Sequence, residues 1–221
     1  MKTAVITGAN RGIGLELVRG LKADYRIHAV CRSSSPELDG EGVEVVDGVD
    51  VASTDGIERL AERLKTLSID LLINNAGLLR ASSLAGIEAE LEDWRAQYEV
   101  NALAPLRVTS ALSDQLSDGA RVVIITSRMG SISDNSSGGA YAYRMSKAAV
   151  NSAAVSMAHE LGPRGIAVGL FHPGYVRTGM TGGSGLVDPD ESAGALIERI
   201  NELDLSTSGR FRHANGEALP W

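Results

Sequence analysis

Short runs of Val, Ile and Leu alternate along the chain with longer stretches in which apolar residues recur every three or four positions. The runs fall at 3–7, 26–31, 43–47, 70–74, 121–126 and 166–171, with a last short one near 209–213. Several show no polar alternation, the pattern of strands covered on both faces in a parallel sheet. Helical stretches at 12–23, 54–67, 88–115, 141–161 and 190–203 separate them. Strand and helix taking turns require right-handed crossovers, so the pattern predicts an α/β, doubly wound fold: a mostly parallel seven-stranded sheet flanked by helices. No repeat or composition break marks a second unit, and residues 1–221 are expected to form a single domain. Two segments stand apart. One is Asp134 to Gly139, ahead of the 141–161 helix. The other is Thr178 to Pro189, with Gly179, Gly182, Gly183 and Gly185 close together, which reads equally as a lid or a plain surface connection.

Composition narrows the function classes. Hydrophobic residues make up 43%, enough for a real core. A net charge of −7 argues against a nucleic-acid surface. The single cysteine, Cys31, allows no internal disulfide, suits a reducing compartment and reads as a buried strand residue. The longest apolar stretches, such as Val122 to Ile125, fall far short of the ~18 residues of a membrane span. The opening Met1 to Gly8 lacks the apolar core of a signal peptide, and a cytoplasmic location is expected. His159 and His172 have no ligand-spaced companions, so no metal site is expected.

The first strand runs directly into Thr7-Gly8-Ala9-Asn10-Arg11-Gly12-Ile13-Gly14 and then a helix. Glycines let the backbone turn tightly and approach a diphosphate, and a helix N-terminus offers free N–H groups and a positive dipole end. Gly8, Asn10, Arg11, Gly12, Ile13 and Gly14 are therefore candidate dinucleotide contacts, although a ligand-free turn would share the spacing. An NAD site places a carboxylate after the second strand. Here that stretch reads Val30-Cys31-Arg32-Ser33-Ser34. Arg32 and Ser33 suit a 2′-phosphate, and Arg11 adds a second cation, so NADP(H) is expected, with NAD(H) as the alternative. Either arginine alone would read as an ordinary surface charge; both flank one expected position.

Tyr143 and Lys147 stand four apart, which on a helix puts phenol and ammonium on one face. A nearby cation favours the phenolate and makes a tyrosine usable as a proton donor near neutral pH. Alone, such a pair is ordinary helix decoration. Ser127 follows an apolar strand, sixteen residues upstream of Tyr143. The ordered set Thr7-Gly8-x-x-x-Gly12-Ile13-Gly14, Asp50-Val51, Asn74-Asn75-Ala76-Gly77, Asn101, Ser127, Tyr143-x-x-x-Lys147 and Pro173-Gly174 resembles the short-chain dehydrogenase/reductase family over nearly the whole length. The resemblance implies a Rossmann fold and an oxidoreductase. It implies Tyr143 as the general acid of carbonyl reduction and Ser127 as a hydrogen-bond donor to the same oxygen. Lys147 would depress the Tyr143 pKa and hold the nicotinamide ribose, and Asn101 would prop a water relay to the lysine. It also implies cofactor contacts at Asp50 and Val51 beside the adenine, at Asn74, Asn75, Ala76 and Gly77, and at Pro173, Gly174, Val176 and Thr178 around the carboxamide.

The segment Asp134 to Gly139 looks extra, and the one after Thr178 is short. With the ending Gly209 to Trp221, they are similar to a small-sized branch containing C-factor-like proteins and sniffer-type carbonyl reductases. The expected function is NADPH-dependent reduction of a ketone or aldehyde to an alcohol. A dinucleotide-binding signalling protein of C-factor type and an NAD-linked alcohol dehydrogenase are the alternatives. The expected partner is a small carbonyl or alcohol substrate, with no nucleic acid and no membrane. Family resemblance also implies a homo-oligomer, commonly a dimer, paired through the helices near 88–115 and 141–161.

Overall fold

The computed structural model describes all 221 residues. Seven strands form one sheet: β1 (Lys2–Thr7), β2 (Tyr25–Val30), β3 (Glu44–Val46), β4 (Ile69–Asn74), β5 (Leu116–Ile125), β6 (Ala167–His172) and β7 (Phe211–His213). Their order is β3-β2-β1-β4-β5-β6-β7, and all six pairings are parallel. The order reverses direction between β1 and β4. That opens a crevice at the C-terminal ends of these strands, where ligands of doubly wound sheets bind.

The apolar runs become strands because residues on both faces are sealed. Val5, Leu72, Val122, Ile124, Val168 and Leu170 pack on one face, and Ala4, Ile6, Leu71, Ile73 and Val123 on the other. The second face is covered by α1 (Gly12–Leu21) and α7 (Pro189–Asn201), with a short turn of helix, α2 (Pro36–Asp39), that the hydrophobic pattern did not predict. Pro36 opens α2, and the Ser35 hydroxyl caps it by accepting from Leu38 N–H. The first face carries α3 (Thr54–Leu64), α5 (Ala104–Ala111) and α6 (Tyr141–Leu161), and α4 (Ile87–Tyr98) packs on α6.

The stretch expected as one helix over 88–115 is divided. After α4 the backbone widens into a π turn over Glu99–Leu103, with Ala104 N–H bonded back to Glu99 C=O, before α5 begins. Pro105 supplies the reason. It has no N–H, so the carbonyl of Asn101, four residues earlier, has no α-helical donor. The helix ends at Ala111, and a single tight turn over Ser113–Gln115 leads into β5, which starts at Leu116 and is irregular between its pairings to Ile69 and Leu71. No helix is long and apolar enough to cross a membrane.

Candidate active site

At the crevice the three turn glycines are required for two reasons, backbone conformation and close packing. Gly8 (φ +65°) and Gly12 (φ +55°) occupy the left-handed region that side chains rarely adopt. Gly14 has ordinary dihedrals, but a Cβ there would collide with the Gly8 carbonyl oxygen. A Cβ on Gly8 would lie 2.9 Å from Ala76 Cα. Behind the turn, Asn75 Nδ2 donates to the carbonyls of Thr7 (2.9 Å) and Gly8 (3.1 Å), and Thr7 Oγ1 accepts from the N–H groups of Asn75 and Ala76. Asn74 turns its amide to Thr109 Oγ1 on α5 (3.2 Å). The side chains of Asn74 and Asn75 thus brace the crevice wall, and what this turn presents to a ligand is backbone and the small Ala76 and Gly77.

Helix α1 begins with no acidic residue in its first turn and no side-chain cap at Arg11. Its leading N–H groups and positive dipole end are therefore uncompensated, which fits a diphosphate. Asn10 Nδ2 donates to Ser33 C=O (2.9 Å), and the Ser35 hydroxyl donates to Asn10 C=O (2.8 Å), which ties the glycine turn to the loop after β2. That loop carries Arg32 and Ser33, both exposed. Neither Arg11 nor Arg32 has a carboxylate within 4.0 Å, whereas eight other arginines of the chain do. Ile13 packs half-buried against the α1–α7 face. Asp50, after β3, accepts from Ala52 N–H (3.0 Å), and Val51 is buried beside it.

Three consecutive residues at the end of β5 dock on the catalytic-looking face of α6. Ile125 C=O accepts from Lys147 Nζ (2.9 Å), Thr126 Oγ1 donates to Asn151 Oδ1 (2.6 Å), and Ser127 opens a short turn in which its Oγ accepts from Met129 N–H (3.2 Å). Tyr143 and Lys147 are 8% and 4% exposed, so both ionisable groups have lost their water. Ser146 Oγ donates to Tyr143 C=O and accepts from Asn101 Nδ2 (3.0 Å). Asn101 Nδ2 also donates to Leu78 C=O, and its Oδ1 accepts from Leu78 N–H, each at 2.8 Å. The Asn101 side chain is therefore committed to Leu78 and Ser146, and Pro105 leaves its backbone carbonyl without an α-helical donor.

Electrostatics depart from one expectation. Burial raises the Tyr143 pKa above its usual value, with the Ser127 hydroxyl pulling the other way, and no lowering by Lys147 outweighs it. Lys147 Nζ lies 5.8 Å from the Tyr143 ring centroid, and burial lowers its own pKa to about 8. Desolvation disfavours both charges, and in this low-dielectric setting it exceeds the stabilisation each would give the other.

After β6, Pro173 C=O accepts from Ser192 Oγ (2.8 Å), Gly174 has φ +96°, and Val176 is buried. The glycine-dense segment that follows is compact. Arg177 pairs with Asp188 (2.7 Å), Leu186 N–H donates to Tyr175 C=O (2.7 Å), and a single helical turn covers Gly179–Thr181. It leans into the crevice from above: a Cβ at Gly12 would meet Thr178 Cγ2 at 3.4 Å, and one at Gly77 would meet Met180 Cε at 3.4 Å. Of the two readings, a cover over the crevice is the one this placement favours.

No three His, Cys, Asp or Glu residues stand together as a metal-holding group. His172 is half-buried with its ring edge-on to His213 at 4.9 Å, and burial followed by His213, Arg128 and Lys147 pushes its pKa down to about 3. His159 is exposed on the last turn of α6. Sequence reasoning missed the Thr126–Asn151 bond and the His172–His213 pair, because both depend on which residues the sheet and α6 bring side by side. The only available signal was the spacing Tyr143, Lys147, Asn151, one helical face read a turn further. A cavity of about 570 Å³ lies elsewhere, beside Arg19, Lys22, Tyr25 and Glu41, and holds none of these groups.

With this geometry in view, comparison with known proteins decides the family. The short-chain dehydrogenase family model matches residues 2–186. The chain belongs to that family. It is 38% identical over its whole length to the whole of 1-hydroxy-2-glutathionyl-2-methyl-3-butene dehydrogenase of Rhodococcus sp. (strain AD45). It is 43% identical to the C-signal protein of Myxococcus xanthus across 73% of this chain and 98% of that one. Among solved structures, NADPH-bound carbonyl reductase from chicken fatty liver superposes over 100% of this chain and 99% of its own, with a TM-score of 0.88 and 31% identity. Carbonyl reductase Sniffer of D. melanogaster does so over 100% of both chains, at 0.91 and 27%. The resemblance to the C-factor-like and sniffer-type branch is thereby borne out, and the chain is an oxidoreductase of the short-chain dehydrogenase family.

Proposed function

We propose that this oxidoreductase reduces a ketone or aldehyde to an alcohol at the expense of NADPH. The observation that carries the reading is the convergence of Ser127, Tyr143 and Lys147 on one buried corner at the end of β5, beside a crevice whose glycines and bare helix N-terminus suit a dinucleotide.

The reduced nicotinamide, when bound, supplies the hydride. The chain supplies placement and the proton. Gly8, Gly12 and Gly14 and the first N–H groups of α1 hold the diphosphate, and Arg11, Arg32 and Ser33 hold the 2′-phosphate. Asp50 and Val51 border the adenine, and Pro173, Gly174, Val176 and Thr178 border the carboxamide. Tyr143 donates its phenolic proton to the carbonyl oxygen while Ser127 hydrogen-bonds that oxygen as charge develops on it. Lys147 binds ribose hydroxyls and, once solvated or bonded there, stays protonated and favours the phenolate that Tyr143 becomes. The proton lost by Tyr143 returns through Lys147, and the Asn101 carbonyl, not its engaged amide, anchors the water that feeds it. NADPH preference rests on two exposed arginines without carboxylate partners where an NAD site would carry an acid. The NADPH bound to the chicken fatty liver carbonyl reductase supports the same cofactor.

The test is oxidation of NADPH, followed at 340 nm, against a panel of ketones and aldehydes. Tyr143→Phe is expected to lower kcat about 10²–10⁴-fold with NADPH binding retained. No substrate-dependent oxidation by wild type, or full activity in Tyr143→Phe, overturns the reading. Arg32→Ala is expected to weaken NADPH binding by roughly 10–100-fold, the worth of a charge-assisted hydrogen bond, and to leave NADH binding unchanged. Equal loss for both cofactors would contradict the 2′-phosphate assignment and favour an NAD-linked alcohol dehydrogenase.

A second reading has a specific motivation in the 43% identity to the C-signal protein: signalling that depends on the bound dinucleotide and not on turnover. There, a Tyr143→Phe chain would keep its biological effect and a Gly14→Ala chain would lose it. The opposite pattern would reject it.

A further inference from the structure

Residues 125, 126 and 127 at the end of β5 each meet a different turn of α6, and Ser127 does so through the Tyr143 hydroxyl itself. Lys147 holds Ile125 C=O at 2.9 Å, and Asn151 holds the Thr126 hydroxyl at 2.6 Å. Ser127, the third, must stay free to meet a substrate oxygen. Thr126 and Asn151 are each 2% exposed, so nothing in solvent competes for their bond. The turn Arg128–Gly130 that follows Ser127 is seated on the same helix. A Cβ at Gly130 would lie 2.8 Å from the Lys147 carbonyl and 2.9 Å from Asn151 Nδ2, and Gly130 N–H closes back onto Ser127 C=O at 2.8 Å. Ser127 thus hangs from a strand end whose distance to Tyr143 is set by Lys147 on one side and Asn151 on the other.

These two ties are not equivalent. On the proposed reading Lys147 engages the nicotinamide ribose, and its ammonium must then share or surrender Ile125 C=O. We infer that Asn151, through its hydrogen bond to Thr126, is a positioning residue that keeps Ser127 aligned with Tyr143 while Lys147 is occupied by the cofactor. The helical face Tyr143, Lys147, Asn151 then carries three successive tasks at a spacing of four: proton donor, cofactor and relay cation, strand anchor. Asn151 has no contact with substrate or cofactor in this scheme. Its other amide atom, Nδ2, has no partner and faces Gly130, so the side chain is held by the Thr126 bond alone.

The experiment uses Thr126→Val and Asn151→Leu, which keep the branched heavy-atom outline of the side chain and remove the bond from either side, together with the double variant and Thr126→Ser. Each is measured for NADPH binding by fluorescence titration and for kcat and KM with the best carbonyl of the panel. Amide hydrogen exchange of the 126–131 segment is followed with and without NADPH. The single variants are expected to lose about 10–100-fold in kcat, since sub-ångström to ångström misplacement of a catalytic group costs this much. NADPH Kd should stay within about twofold of wild type. The double variant should lose no more than the worse single one, because both remove the same bond. Thr126→Ser, which keeps the hydroxyl, should retain kcat to within about threefold. Exchange of the 126–131 amides should accelerate relative to wild type much more with NADPH bound than without it, because only then is Lys147 shared. Wild-type kcat in both single variants, losses that multiply in the double variant, or equal acceleration with and without NADPH would each overturn the inference. If the wild-type chain neither binds NADPH nor oxidises it with any carbonyl, the proposed function has failed instead, and that outcome is read from the wild type alone.

Discussion

Lys147 shows what it takes to place an ammonium where this chemistry wants it. With 4% exposure its folded pKa is lowered to about 8 from the ordinary 10.5. A gap of that size corresponds to about 3 kcal/mol. Because the folded value lies below the unfolded one, the cost is fully present below pH 8. It fades as pH rises from 8 to 10.5, where the folded chain sheds the proton and the unfolded chain still binds it. Lys147→Met removes the buried charge and loses one hydrogen bond to Ile125. The net expectation is a Tm higher by about 2–6 °C at pH 7, with carbonyl reduction lost. Melting curves at pH 7 and pH 10 check it: the advantage of the variant should shrink at the higher pH. A lower Tm for Lys147→Met at pH 7 would mean that the Ile125 bond outweighs desolvation. The Tyr143 phenol, raised by burial, makes the same point with opposite sign, and in the proposed mechanism the cofactor-engaged lysine is what lowers it again.

Helical periodicity identified the element over 88–115 but not its break. One residue accounts for the difference: Pro105 removes the donor that Asn101 C=O would otherwise use, and the ladder accommodates by widening into a π turn. Pro105→Ala restores that donor and allows an uninterrupted helix. The chain should gain helix stability and lose about tenfold in kcat, the scale of a misdirected relay group. Circular dichroism and steady-state kinetics measure the two together, and unchanged kcat would detach the π turn from function. The glycine turn behaves differently, since its spacing was legible and its reasons were not. Gly14 looked like one more flexible residue, but its dihedrals are ordinary and its constraint is the Gly8 carbonyl against it. Gly14→Ala should therefore abolish nucleotide binding and cost at least about 2 kcal/mol of stability, measurable by denaturant melts.

At the level of the whole molecule, the all-parallel sheet puts the crevice, the Ser127 turn and the cover segment at one end, and a polar row of Thr126, His172 and His213 runs across the sheet beneath them. His172 is the acid-sensitive member. Its folded pKa of about 3 lies below the unfolded 6.5, so the stability tied to its neutral form is intact above pH 6.5 and is lost as pH falls toward 3. Acid unfolding of His172→Gln should be shallower than that of wild type across this window, and an identical acid limb would remove His172 from the account. The oligomeric expectation stays a proposal in which α4 and α6 pair between copies, with Tyr98 and Met145 among their exposed residues; sedimentation at micromolar concentration decides it.

Some of this was already determined by the order of residues. Short apolar runs without alternation, taking turns with helical stretches, fit a parallel sheet covered on both faces, glycines at 8 and 12 after a strand fit a tight turn, and a phenol and an amine four apart on a helix share one face. Those are local constraints, imposed by backbone geometry and by water. What tertiary structure alone decided is which groups lose their water and which partners they find. The Arg11 and Arg32 side chains stay in solvent without a carboxylate, Asn101 spends its amide on Leu78 and Ser146, and Lys147 is desolvated against Ile125. Asn151 meets Thr126 across 25 positions of sequence. Burial and long-range pairing arise from the packing of distant segments, and no local pattern encodes them.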